Sequence, residues 1–223
     1  MRMPAEKSIV TTRWWWVRHA PVPDGGKIYG QRDLDCDCSD DHVFRNVAVR
    51  LPADAVWVTS ALKRAKQTAQ AIHAASLGKH APANILAHAA FNEQHMGDWQ
   101  GQDRDAFRKT HGITAMDFWL TKGEARAPGG ESFHDLVARA APLIHDLNTQ
   151  HSGRNIITVT HGGTIRAALG LALGGAPTTA HAFTIDNCSI SVIEHLQPKD
   201  KPGAGAWRVD GVNLRPWLAT NAG

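Results

Sequence analysis

The segment RWWWVRHAPV, residues 13–22, drives three tryptophans and a valine into an arginine and a histidine, and the chain then breaks at Pro21 and Pro23. With the residues before it, the run IVTTRWWWV (9–17) predicts a β-strand rich in β-branched and aromatic side chains. Strand side chains alternate, so Trp14 and Trp16 share one face and Trp15 takes the other. Apolar residues on both faces mark a strand covered on each side by an apolar layer, with Arg18 and His19 delivered at its carboxyl end. A strand with a merely solvated end has the same local pattern, so the other segments must decide between the two.

The surrounding composition narrows the class. A chain of 223 residues with 43% hydrophobic content can bury one substantial core, and we expect a single domain over 1–223. The net charge is +3 and the basic residues are scattered, which argues against a nucleic-acid partner and leaves room for a locally basic pocket. No segment approaches the roughly 18 uninterrupted apolar residues of a membrane span, and MRMPAEKSIVTT (1–12) lacks an apolar signal core. Three cysteines, Cys36, Cys38 and Cys188, form no disulfide framework, so a reducing cytoplasm is the expected address. The C-D-C pair is spaced more tightly than a zinc knuckle and has no second pair, so neither a structural metal nor a cofactor is expected.

Strand-like and helical patterns alternate along the chain. AVWVTS (55–60) and NIITVT (155–160) read as further strands, and SISVIEHL (189–196) and AWRVDGVNL (206–214) as late ones. LKRAKQTAQAIHAASLG (62–78), ESFHDLVARAAPLIHDLNTQ (131–150) and TIRAALGLALG (164–174) carry apolar residues at helical spacing. The alternation predicts an α/β fold, a mostly parallel central sheet with helices on both faces. QPKDKPGAGAW (197–207) reads as a hairpin-like connector. Residues 91–130 interrupt the rhythm with DRDAFRKTHG (103–112) and MDFWLTKGEARAPGG (116–130), expected as short helices joined by loops. Such an insertion is either a lid over a site or an extra packing layer.

Ligands of open α/β sheets bind beyond the carboxyl ends of strands, and three of those ends agree in chemistry. After WWWV stand Arg18 and His19; after AVWVT stand Ser60 and, a helical turn on, Arg64; after NIITVT stand His161, Gly162 and Gly163 at a helix start. Arginine forks, a helix N-terminus and glycines that admit a ligand to the backbone together suit a tetrahedral dianion. A histidine among those cations has its pKa pushed down and is a neutral nucleophile near neutral pH. Ser60 suits the phosphate pocket and equally the N-cap of the helix carrying Arg64.

RHA (18–20), SALKRAKQTA (60–69), FNEQHMGDWQG (91–101), PGGES (128–132) and VTHGG (159–163) resemble, in order and spacing, the histidine phosphatase superfamily, also called phosphoglycerate mutase-like. The likeness runs from about residue 9 to about 195, and AHAAFNEQHMGDWQGQ (87–102) is more similar to the phosphatase branch, such as the α-ribazole phosphatase type. The resemblance implies a three-layer α/β/α sandwich and metal-free hydrolysis of a small-molecule phosphomonoester through a phosphohistidine. It assigns His19 as nucleophile, Arg18, Arg64 and His161 as the phosphate-holding core, and Glu93 as proton donor. The backbone at Gly162 and the hydroxyl of Ser60 are further phosphate-binding candidates, and a protonated His161 is expected to help neutralise the transferring group.

The chain departs from the family pattern directly after its nucleophile. Ala20 stands where the family has glycine, so the turn there must use a conformation open to ordinary residues. PVPDGG (21–26) places Val22 and Gly25 where a phosphate-holding threonine and asparagine are common, with Gln31 or Arg32 as candidate replacements. His95, Trp99 and the loop 115–130 are candidates for the substrate pocket or for ordinary packing. A mutase and a weakly catalytic or non-catalytic phospho-ligand binder remain as alternatives, and a homodimer using Trp14 to Trp16 as a surface is compatible with any of them.

Overall fold

The structure, a computed structural model, describes residues 9–80, 84–114, 116–120, 122–201 and 203–218. The expectation for a signal core falls largely on residues 1–8, outside those described, as do positions 115, 121 and 202 of the predicted loops. The elements are β1 (Ile9–Arg18), α1 (Asp41–Arg50), β2 (Val56–Ser60), α2 (Lys63–Ala75), β3 (Ile85–His88), α3 (Arg104–Thr110), α4 (Phe133–Gln150), β4 (Asn155–Thr160), α5 (Gly162–Leu173), β5 (Ile190–Pro198) and β6 (Ala206–Leu214). None of the described helices is long and apolar enough to cross a membrane.

The strands form one sheet in the order β3-β2-β4-β1-β5-β6. The first four are mutually parallel, whereas β5 runs antiparallel to β1, and β6 antiparallel to β5 across the connector expected at 197–207. The alternation of β1 separates the two sides of the core. Trp14 and Trp16 stack at 5.1 Å between ring centroids and pack with Ile144 and Leu147 of α4 and Ile165 and Leu169 of α5. Trp15 and Val17 face the other way, toward Phe44 and Val47 of α1 and Ala65, Ala69 and Ile72 of α2. The result is the expected α/β/α sandwich. The Trp14 and Trp15 indole N–H groups donate to Asn148 and Asn155, at 3.2 and 3.1 Å, so the buried Trp14 and the half-buried Trp15 each keep a partner for their donor. On the antiparallel side, the buried Glu194 of β5 accepts from Arg13 of β1 and Arg208 of β6 and ties three strands together.

Three local readings change. α1 begins at Asp40, whose carboxylate caps His42 and Val43 N–H, and it buries Phe44, Val47 and Ala48; the sequence reading passed over it. The short edge strand β3 was not recognised either. Among the described residues of 91–130, the helical segments are α3, capped by Asp103, a 3₁₀ turn at Gly97–Trp99 and the last residue of another at Ala89–Phe91. The described residues of 116–130 contain no helix. Gly129 sits at φ +66 there, and the Asp117 carboxylate folds back onto the Thr114 N–H and hydroxyl, a turn geometry that competes with a helix start.

Candidate active site

Strand register brings the site together. β1 pairs with β4 so that Arg18 is level with Thr160, and β2 pairs with β4 so that Thr59 is level with Val159. His19, Ser60 and His161 therefore leave three adjacent parallel strands at one edge. The His19 and His161 ring centroids are 5.1 Å apart.

His19 is held by its backbone and by one ring nitrogen. Its N–H donates to the Thr160 carbonyl at 2.8 Å, and its own carbonyl accepts from Asn187 Nδ2 at 2.7 Å. Nδ1 lies 2.7 Å from the Ala20 carbonyl oxygen, which can only accept, so Nδ1 carries the proton and Nε2 keeps a lone pair. Burial, with Arg18 and Arg64 adding repulsion, holds the His19 pKa well below the usual imidazole range. The Ala20 N–H donates to Thr68 Oγ1 at 2.8 Å, and Ala20 is not among the residues with positive φ, so the alanine fits this turn as expected.

Arg64, fully buried in the first turn of α2, donates to the carbonyls of Arg32 (2.9 Å) and Gly30 (2.7 Å) and to His161 Nδ1 (3.2 Å). One N–H each from Nε, Nη1 and Nη2 is thereby used, and two of the five remain for a ligand. Arg18 spends Nη1 on the Ile185 carbonyl at 2.6 Å, while its buried Nε has no partner among the described residues. A buried guanidinium donor left open is costly unless something arrives to accept from it.

His161 is the residue before α5. Its Nδ1 accepts from Arg64, so its Nε2 faces Ser60 Oγ, at 2.7 Å, as the donor. Burial first, then Arg64, His19 and Arg18, keep its pKa well below the usual range. The expectation of a protonated His161 is thus corrected: among these cations the imidazole is neutral and orients Arg64. Ser60 is not the N-cap of α2, a position held by Leu62; its hydroxyl faces His161 and accepts from the Leu62 N–H at 3.3 Å.

Glu93 stands opposite on the loop after β3. Its carboxylate accepts from the Gln94 N–H at 2.9 Å and the Gly163 N–H at 3.2 Å. A side chain at Gly163 would put Cβ 2.2 Å from Glu93 Oε1, so glycine is required for this approach. Gly162, first in α5, has an N–H with no intrahelical acceptor and lies beside Arg18: a Cβ there would stand 3.8 Å from Arg18 Nε.

Arg18 and Glu93 open onto a cavity of about 360 Å³ whose wall includes Val22, Tyr29, Asn187, Arg104 and Phe118 to Leu120. His19, Ser60, Arg64 and His161 are not on its wall and are each no more than 1% exposed. Phe118, Trp119 and Leu120 of the insertion are part of this wall. Gln31 and Arg32 do not line the cavity: the Gln31 amide donates to the Glu93 carbonyl at 2.8 Å, and Arg32 offers its carbonyl to Arg64. His95 is held by Glu131, and Trp99 lines a neighbouring cavity of about 730 Å³ that shares Phe118, Trp119 and Leu120 as its partition.

The sequence reading missed the residues that hold these groups. Arg139 donates to the carbonyls of Ala90, Asn92 and Glu93 and forks onto Glu131, clamping the Glu93 loop. Arg166 reaches back from α5 to the Gly162 and Phe183 carbonyls and lies 4.8 Å over the Trp119 ring. Both are arginines among the apolar positions of a helix, a signal that a charge is needed inside. Thr68 and Asn187, which fix the backbone of Ala20 and His19, carry no comparable signal.

A free imidazole nitrogen near Arg18 and the buried Arg64, with the Glu93 carboxylate held at Gly163 in the first turn of α5, is a set of groups suited to a phosphoryl ligand on an α/β fold. Residues 15–202 match the family described as histidine phosphatase superfamily (branch 1), and the chain belongs to that superfamily. It is 32% identical over 217 residues to a glucosyl-3-phosphoglycerate phosphatase of Mycolicibacterium vanbaalenii, covering 88% of this chain and 91% of that one. It is 30% identical over 143 residues to 2,3-bisphosphoglycerate-dependent phosphoglycerate mutase 2 of Gloeobacter violaceus, 63% of this chain and 64% of that one. Its fold is similar to that of the α-ribazole phosphatase of Shigella flexneri, with a TM-score of 0.71 at 20% identity over 91% of this chain and 96% of the other. Of the two relatives, the phosphatase is matched over 88% of the chain and the mutase over 63%, in line with the phosphatase branch that the resemblance implied.

Proposed function

We propose that the protein is a metal-independent phosphomonoester hydrolase working through a phosphohistidine on His19, with Glu93 as proton donor. The observation that carries this reading is the Nδ1 bond of His19 to the Ala20 carbonyl, which leaves Nε2 as a lone pair on a ring that feels both Arg18 and Arg64. Nε2 attacks phosphorus as the ester P–O bond breaks, and the departing oxygen takes a proton from Glu93. Water then attacks phosphorus, Glu93 takes its proton, and the P–N bond breaks to release phosphate and return His19 to its neutral form. Phosphoryl transfer needs alignment and charge neutralisation above all, and the open N–H groups of Arg18 and Arg64 supply the second. Gly162 N–H is a further donor, while Ser60 acts through His161.

The test is hydrolysis of an aryl phosphate in excess chelator, with acid-labile phosphate trapped on the protein during turnover. We expect activity and a His19 adduct, both lost in His19→Ala; activity unchanged in that variant removes His19 from the chemistry. A second reading, transfer of phosphate between hydroxyls of a sugar acid, is favoured by the similarity to the mutase. Isomerised product forming faster than free phosphate would establish it.

A further inference from the structure

The C-D-C motif has no part in the phosphoryl chemistry, yet it sits against the support of His19. Cys36 and Cys38 lie in residues 32–40, which form neither helix nor strand, with their Sγ atoms 3.6 Å apart. Both are half-buried, and Asp37 between them is exposed. Cys36 Sγ is also 3.3 Å from the Arg64 carbonyl oxygen and 3.6 Å from Thr68 Oγ1. Thr68 in turn donates to the Arg64 carbonyl at 2.7 Å and accepts the Ala20 N–H at 2.8 Å.

We propose that Cys36 and Cys38 form a reversible dithiol–disulfide site, oxidised by low-molecular-weight disulfides, whose closure loosens the Thr68 support beneath His19. The Cys36 thiolate attacks one sulfur of the small disulfide; its S–S bond breaks, and one small thiolate leaves and takes up a proton. Cys38, losing its proton to solvent, attacks the mixed disulfide at Cys36 and expels the second small thiolate, which is protonated in turn. One protein S–S bond forms, two electrons pass to the small disulfide, and two small thiols are released.

The geometry favours this order. The hydrogen bond from the Cys38 thiol brings Cys36 down to about 7, giving it thiolate character near neutrality. Cys38 is pushed up by that same bond while Cys36 is charged, and is released from it once Cys36 is in the mixed disulfide. Cys188 is buried, and burial pushes it up to about 12, so it stays a thiol and does not compete. A disulfide is about 2.0 Å long, so the sulfurs must approach by about 1.5 Å, and the irregular segment can absorb that shift. The movement draws Cys36 Sγ away from the Arg64 carbonyl and Thr68, the two groups beneath Ala20.

The experiment treats the full-length protein with oxidised glutathione, maps its peptides without reduction, and follows amide exchange in the peptide containing Ala20. We expect a Cys36–Cys38 link, several-fold faster exchange at Ala20, and reversal of both by dithiothreitol. In Cys38→Ser, glutathione should remain attached at Cys36 and exchange at Ala20 should stay slow. Free thiols at both positions after treatment, a link to Cys188 instead, or a linked protein with unchanged exchange at Ala20 would each overturn the proposal. Neither readout needs turnover, so the outcome is independent of whether the phosphatase reading holds.

Discussion

The Nε–H of Arg64 points at Nδ1 of His161, 3.2 Å away, and the opposite nitrogen of that imidazole faces Ser60 Oγ at 2.7 Å. Ser60, His161 and Arg64 thereby form one chain from β2 through the start of α5 to α2, and its far end is the arginine beside the nucleophile. A neutral imidazole is what such a chain requires, since a protonated Nδ1 could not accept from a guanidinium.

Arg64→Lys should therefore fail to rescue. Lysine cannot serve the Gly30 and Arg32 carbonyls, His161 and a phosphate together, so kcat/KM is expected to fall by roughly 10²–10³ in either Arg64→Ala or Arg64→Lys. Steady-state kinetics on an aryl phosphate checks this, and near-normal turnover in the lysine variant would contradict it.

Gly163→Ala tests the placement of Glu93. The added methyl would stand 2.2 Å from Oε1, which must move, although the helix itself gains up to about 1 kcal/mol from the alanine. Proton donation should suffer while the fold survives: the rate on alkyl phosphates drops by roughly 10²-fold, and that on activated aryl phosphates drops much less. Equal losses on both substrate types would argue against Glu93 as donor.

Thr68→Val removes the acceptor for the Ala20 N–H at nearly constant volume. We expect a destabilisation of about 1–3 kcal/mol, read by urea denaturation, accompanied by a lower kcat. Trp16→Ala differs in kind. It empties the stacked pair with Trp14 at a cost of about 3–5 kcal/mol, and the activity per folded molecule should stay near wild type.

Acid should destabilise the protein earlier than its carboxylates alone would dictate. His19 and His161 are held well below the usual range, chiefly by burial, and burial brings His181 down to about 4. The unfolded chain, with histidines near about 6.5, binds more protons than the folded one below that pH. The stability present above about 6.5 is therefore lost progressively as the pH falls toward the folded-state values. Thermal melts should show Tm declining from about pH 7 to about pH 5, less steeply in His161→Gln, and a flat Tm across that window would contradict the assignment.

Much of the fold was legible because apolar pattern and strand period agree. The triple tryptophan could only divide between two faces, and both helix layers could be seen in the stretches that flank it. The misses are cases where local signals conflict. α1 has the cap of Asp40 and apolar Phe44, Val47 and Ala48, but it is interrupted by charges, and β3 is too short for period two to stand out. The charged outputs Arg18, His19, Arg64 and His161 were readable because each follows a strand or opens a helix. Glu93 was assigned by resemblance alone, since nothing in its own segment marks it.

By itself, RWWWVRHAPV determined a central strand and the two side chains at its end, because alternation along a strand is a property of the backbone. Which tautomer His19 adopts, that His161 is neutral, and that Gln31 and Arg32 stand off the cavity wall were decided by tertiary structure. Those properties depend on which carbonyls and cations residues distant in the chain bring within hydrogen-bonding reach, and on how fully water is excluded around them.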